Sequence, residues 1–457
     1  MKQLSAIDTL FLLMEQRQQP LHVGALCLYE PPPGAPPEFA LNLAERMRES
    51  TAAARPFNRR LVSRAGLKFW QEDTNFDLAH HFVHLALPKP GRIRELLAMV
   101  SRVHSAHLDR AYPLWRTYLI EGLEDGRIAT YSKIHHSLVD GVAGIRLMLK
   151  SMSPDVAASL EMPAPWEVRT RKTRERTLPV PTGTLRGLSA LQAFGREGAT
   201  VVPPVLRQLR QSWQDLREGN PDFVGSLQAP HCILNEPITG SRRFAAQSYS
   251  MPRIKAIAKK FDATSNDVIL ALCGAALRQY LMDLDALPEK PLVAAVPVST
   301  RRDDGDSGNE IAFALTHLAT HLEHPVERLL AIKRCMDYNK AFMRRLSPAQ
   351  LLAYEAVMLA PGALNLLTGF DRRRTLLNLV ISHVPGPRQD VYWQGCRLDG
   401  MYPVSLIIDK MACNITLISR HDKVDFGIIA CRKTLPSVQR LLEHIEEALD
   451  DLENACG

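Results

Sequence analysis

The stretch Ile128-Ala129-Thr130-Tyr131-Ser132-Lys133-Ile134-His135-His136-Ser137-Leu138-Val139-Asp140-Gly141 decides how the chain is read. It follows the turn signal Asp125-Gly126 and predicts the second strand of a hairpin whose first strand is Arg116 to Leu123. Successive side chains of a strand point to opposite faces, so His135 and His136 leave it on different sides. Periodicity groups His136 with Ile128, Thr130, Ser132 and Ile134, and His136 is the residue nearer the strand's end. One histidine then serves chemistry and the other structure. A neutral imidazole is suited to taking a proton from an alcohol near neutral pH. Asp140 sits in the following turn, where it braces the site directly or by pairing with an arginine. Gly141 permits a tight backbone path into a helix starting near Val142.

On the residues alone, three roles stay open for the histidine pair: catalysis, metal ligation, and satisfied surface groups. Metal has the least support, because the chain has neither an H-E-x-x-H spacing nor a C-x-x-C pair among its eight cysteines. No metal site is expected.

Outward from the motif, Ser5 with Asp8 predicts the capped start of an opening helix, and Leu21 to Tyr29 a buried strand. Arg92 to His104 reads as a helix. In residues 153–240, prolines 154, 163, 165, 179, 181, 203 and 204 are expected to break any long element and basic residues concentrate, with a partly helical stretch from Ala190 to Arg217. They read as a crossover between an N-terminal domain (1–152) and a C-terminal domain (241–457). In the latter, Ile254, Ile257, Ala258 and Phe261 mark an amphipathic helix, and Thr264 with Asp267 caps another. Leu292 to Val298 and Leu376 to Val384 read as strands, and Val438 to Leu452 as a closing helix. Leu351 to Phe370 reads as two short helices parted at Pro361-Gly362.

Composition narrows the classes. A chain of 457 residues, 46% apolar and 23% charged, is ordinary globular protein of two or three domains, which excludes disorder, collagen and a coiled-coil rod. The scattered cysteines are expected to be buried free thiols in a reducing cytoplasm. Leu10 to Met14, between Asp8 and Glu15, is too short for a signal peptide, and no run of about 20 apolar residues is present to span a membrane. The net charge of +7 suits nucleic acid, anionic lipid or a phosphate-bearing small molecule. Its clusters, Arg169, Arg171, Lys172, Arg174 and Arg176 and then Arg372 to Arg374, lack interleaved aromatics, so no nucleic-acid partner is expected.

The heptad from His135 to Gly141 resembles the HHxxxDG motif of the bacterial wax ester synthase/acyl-CoA:diacylglycerol acyltransferases. That family belongs to the acyl-CoA-dependent superfamily of chloramphenicol acetyltransferase and the peptide-synthetase condensation domains. Pro113-Leu114-Trp115 resembles the family's PLW segment, Asn266-Asp267 its ND motif, and Pro297-Val298-Ser299-Thr300-Arg301 its PVS-x-R segment, followed by Gly308-Asn309. Val384-Pro385-Gly386-Pro387, Asn414-Ile415-Thr416 and Asp425-Phe426-Gly427 complete an ordered series over nearly the whole chain. Two positions depart from it: the family more often has Asn at His383 and Gly at Lys410.

The resemblance implies a mixed α/β fold of two chloramphenicol-acetyltransferase-like domains with the active site at their interface. It implies an O-acyltransferase that moves a long-chain acyl group from acyl-CoA to a fatty alcohol, giving wax ester, or to diacylglycerol, giving triacylglycerol. His136 is the expected general base, with His135, Asp140 and Gly141 supporting it. Asn266, beside Asp267, is either an oxyanion donor or only a helix cap; Arg301 is expected to pair with Asp140. Ser382 and Tyr402 are candidates for lining the site, and the helices from Leu351 to Leu367 are either a tunnel wall or ordinary core. Acyl-CoA is a substrate, and no cofactor is expected. A different acceptor and a catalytically silent lipid-binding homologue are the alternatives; the intact motif argues against silence. Water-insoluble substrates point to a cytoplasmic protein with peripheral contact to the membrane or to lipid inclusions, through the opening helix or Leu351 to Leu367.

Overall fold

The computed structural model describes residues 1–168, 187–299, 311–368 and 374–456. The chain forms two compact units that are interleaved along the sequence. The first comprises Met1–Thr170, Glu236–Arg253 and Ser382–Glu446; the second comprises Arg171–Asn235, Ile254–Ile381 and Glu447–Gly457.

A six-stranded sheet organises the first unit, in the order Tyr392–Trp393, Cys396–Val404, His22–Glu30, Ile128–His135, Trp115–Glu121, Phe82–Ala86. The expected hairpin is its centre, with Trp115 opposite Ile134 and Thr117 opposite Ser132. His22–Glu30 pairs antiparallel with the other side of Ile128–His135 and brings His22 opposite His135. Between His22 and Glu30 that strand is apolar, from Val23 to Tyr29, because both of its faces are covered. Cys27 and Tyr29 enter one core, against the helices Phe39–Glu49 and Gly141–Leu149 with Trp115 and Trp166. Leu26 and Leu28 enter another, against Leu96 and Val100 of the helix Ile93–Ser105. The opening helix, Ala6–Met14, starts at Ser5, whose side chain accepts the Asp8 N–H at 3.0 Å.

Three more antiparallel strands of this unit lie side by side: Arg242–Ser250, Lys423–Cys431 and Cys413–Ser419. Here Asp425-Phe426-Gly427 has a packing explanation. The buried Asp425 carboxylate takes hydrogen bonds from Ser248 (2.6 Å), the Met401 N–H (2.8 Å) and Arg420 (2.5 Å). Phe426 is fully buried, and Gly427 lies so close to the Pro403 carbonyl that any Cβ would collide with it.

In the second unit Val293–Ser299 pairs antiparallel with Ile311–His317 and, at its start, parallel with Leu379 and Val380. Thr264 and Asp267 form a reciprocal capping box at the start of Ser265–Met282, a helix buried nearly all round. Two proline readings are corrected. Pro361 lies inside a continuous helix, Pro348–Thr368, and Pro203 and Pro204 inside another, Gly187–Glu218. A proline removes one backbone donor and bends a helix, but tertiary packing carries the helix through it. Here Tyr354 of the first helix bonds Ser212 of the second at 2.8 Å. The basic cluster at 169–176, with Arg372 and Arg373, lies outside the described residues.

Seven of the eight cysteines are buried and all eight are free thiols. Among the described residues no helix is long and apolar enough to cross a membrane. Gly427→Ala is expected to destabilise the protein by about 2–3 kcal/mol through the forced backbone shift, read from the midpoint of denaturant unfolding.

Candidate active site

The central strand ends at His135, and its two neighbours fix how it ends. The His135 N–H donates to the Leu114 carbonyl at 2.9 Å, while the His136 N–H donates to the Leu21 carbonyl on the other side at 3.0 Å. Thus Leu114 of the Pro113-Leu114-Trp115 segment is a backbone partner of the motif. The chain then turns, with the Leu138 N–H closing on the His135 carbonyl at 2.9 Å, and enters the helix Gly141–Leu149.

His135 faces inward and is almost completely buried. Its Nδ1 accepts the Ser137 N–H at 3.1 Å and lies 2.6 Å from the Ser137 hydroxyl. A ring nitrogen that accepts leaves the proton on the other one, so Nε2–H points toward Glu15, whose Oε1 is 3.6 Å away. Glu15 follows the opening helix and is bound by Arg110, at 2.7 Å to Oε2, and by the Leu21 N–H. Burial pushes its carboxyl up, but the interactions with His135 and Arg110 outweigh that and hold it at about 2, against an ordinary 4.5.

Behind this pair lies a buried polar layer. His22 Nε2 donates to the His104 carbonyl at 2.7 Å, and His104 bridges the Tyr131 hydroxyl (2.6 Å) and the Ser405 carbonyl (2.9 Å). Lys133 donates to the carbonyls of Val103 and Ala106, closing the end of the helix Ile93–Ser105; burial pulls its amine down to about 7.

His136 faces the opposite way, is half-buried, and stacks on Phe11 with ring centroids 4.2 Å apart and planes 25° apart. Burial lowers its pKa below 6.5, with Asp140 and Asp8 opposing and His135 adding to the shift. The imidazole is therefore neutral at pH 7, the form a general base requires. Asp140 is exposed and caps the next helix, its Oδ1 accepting the Ala143 N–H at 2.8 Å. Gly141 has an ordinary helical backbone, and an added Cβ there meets nothing within 4 Å, so the space in front of the turn is open and no tight backbone path demands the glycine. Further along the same strand face, Thr130, Ser132, Met148, Met152, Trp166 and Trp393 line a cavity of about 10 Å³.

The remaining candidates are placed as follows. Tyr402 is in the core, hydrogen-bonded to Ser248 at 3.0 Å and opposite Leu26, which lies opposite Tyr131. Tyr131 precedes His135 by four residues, about 13 Å at 3.3 Å per residue. Ser382 is half-buried on Leu379–Pro385, next to His383, whose Nε2 is buried without a hydrogen-bond partner. Asn266 and Asp267 belong to the second unit; Thr264, not Asn266, caps their helix, and Asp267 also meets Lys340 at 3.5 Å. Arg301, with Thr300, Gly308 and Asn309, lies outside the described residues. Sequence reasoning missed Glu15, Arg110 and Phe11. For Phe11 and Glu15 the signal is an aromatic on a short apolar helix and an acid just past its end; Arg110 has none.

Comparison with known proteins matches two family models. Residues 4–269 match the wax ester synthase/diacylglycerol acyltransferase catalytic domain, and residues 307–453 match the C-terminal domain that accompanies it. An Acinetobacter baylyi protein named O-acyltransferase WSD is 46% identical over 464 residues, covering 100% of this chain and 98% of that one. The solved wax ester synthase/diacylglycerol acyltransferase of Marinobacter aquaeolei aligns over 100% of both chains at 43% identity, with a TM-score of 0.83. The first condensation domain of the calcium-dependent antibiotic synthetase shares the fold, with a TM-score of 0.58 at 14% identity over 100% of this chain and 96% of that one.

The Glu15 geometry generates a stability prediction. A carboxyl held at about 2 instead of 4.5 stabilises the fold above pH 4.5, and that contribution fades as pH falls towards 2. Glu15→Gln is expected to cost about 1–3 kcal/mol near neutrality and less in acid, measured by denaturant unfolding across a pH series.

Proposed function

This chain belongs to the wax ester synthase/diacylglycerol acyltransferase family and is an acyl-CoA-dependent O-acyltransferase, and from that premise we propose how its residues carry out the transfer. His136 is the general base, and the observation that carries this reading is its placement. It is the outward-facing, half-buried histidine of the pair and neutral at pH 7, whereas His135 is almost completely buried, with Nδ1 bonded to Ser137 and Nε2 turned toward Glu15.

The acceptor hydroxyl gives its proton to His136 as its oxygen attacks the thioester carbonyl carbon, forming a C–O bond and a tetrahedral oxyanion. The oxyanion collapses with cleavage of the C–S bond. The CoA thiolate leaves, taking the proton back from His136, so that ester and free thiol are the only products. No covalent acyl-enzyme and no cofactor enter this scheme. The oxyanion needs preorganised donors, and Asn266, freed from capping by Thr264, is the proposed side chain. Arg301 is proposed to pair with Asp140 and hold the turn closed.

The acceptor is a long-chain alcohol, a diacylglycerol, or both. Met148 and Met152, unbranched and adaptable, are the cavity residues an entering chain displaces most easily. Contact with a lipid surface is proposed through Leu10 and Leu13 of the opening helix, which are 55% and 72% exposed beside Phe11.

Ester formation from palmitoyl-CoA with hexadecanol or dipalmitoylglycerol tests the base. His136→Ala is expected to lower kcat by about 10²–10⁴-fold. In the wild type, kcat/KM falls in acid as His136 protonates, with a midpoint below 6.5; a midpoint above it contradicts the burial argument. Leu10→Ser with Leu13→Ser is expected to weaken binding to phosphatidylglycerol vesicles by at least about tenfold in co-flotation.

A further inference from the structure

The opening helix reaches both motif histidines. Phe11 lies on it and Glu15 immediately follows its end. Glu15 faces His135, and Phe11 covers His136. The helix is fastened along its length. Ser5 caps its start, Leu12 is buried with Trp70, Leu108 and Leu114, and Arg110 donates to the Leu12 carbonyl at 2.9 Å. Phe11 is outside that cluster, and its ring contact is the imidazole.

A histidine base normally has its ring oriented by a third group, most often a hydrogen-bonded carboxylate. Among the described residues no carboxylate is hydrogen-bonded to His136. Asp140 directs Oδ1 to the Ala143 N–H, and Glu15 serves His135. The ring that lies flat on His136 is that of Phe11. An aromatic face fixes the plane of a stacked imidazole and keeps water from that side.

We propose that Phe11 is a positioning residue for acyl transfer, holding the plane of the His136 ring and keeping water from its covered face during the reaction. The inference rests on His136 being the base. The charged and titratable groups facing His136 are Asp140 of its own turn, His135 beside it and Asp8 of the opening helix, and none of them changes in a Phe11 variant.

The test compares Phe11→Leu, Phe11→Ala and Phe11→Tyr with His136→Ala in the full chain, using palmitoyl-CoA and hexadecanol. Phe11→Leu and Phe11→Ala are expected to lower kcat by about tenfold or more, since misorientation of a catalytic group costs rate. KM for palmitoyl-CoA should stay within about twofold, because substrate binding is untouched. Phe11→Tyr, which keeps the ring, should restore kcat. In Phe11→Ala, water reaches the imidazole, so the acid limb of the rate profile and the NMR titration of His136 should both move up toward 6.5. A Phe11→Leu enzyme with wild-type kcat and acid limb overturns the proposal. So does a loss that Tyr fails to rescue and that follows a fall in Tm. An inactive His136→Ala beside a fully active Phe11→Leu rejects Phe11 alone, whereas an active His136→Ala rejects the base and this inference with it.

Discussion

The site depends on how one strand stops. Ile128–His135 is held on both sides, so the His135 N–H is committed to Leu114 and the next N–H to Leu21. Two adjacent residues donating in opposite directions must send their side chains to opposite faces. One imidazole is driven into the buried polar layer of His22, His104 and Lys133. The other is driven out onto the turn before Gly141. The division of labour between two identical side chains is thus a consequence of sheet hydrogen bonding, and the helix that follows, capped by Asp140, keeps the turn from slipping.

The inward histidine is expensive to bury unless its polar atoms are met. Ser137 meets Nδ1 and Glu15 faces Nε2, so the N-terminal helix is tied to the motif across about 120 residues of chain. This explains why a short helix with exposed Leu10 and Leu13 is part of the first unit's structure and why its Phe11 can lie flat on His136. The same economy appears around Asp425, where three donors gather on one buried carboxylate and the neighbouring Gly427 makes room for a backbone oxygen.

Much of this was legible in the residues. The hairpin, the opposite orientation of the two histidines, the Ser5 cap and the Thr264–Asp267 box all follow from local rules, and the structure has them. Helix continuity through Pro361 and through Pro203-Pro204 was not legible, because packing between the two helices decides it. Nor was the strand Cys396–Val404, which joins a sheet otherwise built mainly from the first 135 residues. Local propensity carries no information on which distant strand a segment will pair with. Glu15 and Phe11 were hidden for the same reason: each acts on a residue more than a hundred positions away. The acceptor's identity depends on the shape of an apolar passage, which alternation and motif spacing do not encode.

The account makes acyl transfer a single direct displacement with His136 as the proton acceptor. Rapid-quench measurement of free CoA thiol after mixing the enzyme with palmitoyl-CoA tests this most directly, with and without hexadecanol and with His136→Ala alongside. The account predicts no thiol burst without the alcohol, prompt release with it, and loss of that release in the variant. A stoichiometric burst without acceptor, or release that survives His136→Ala, would contradict it.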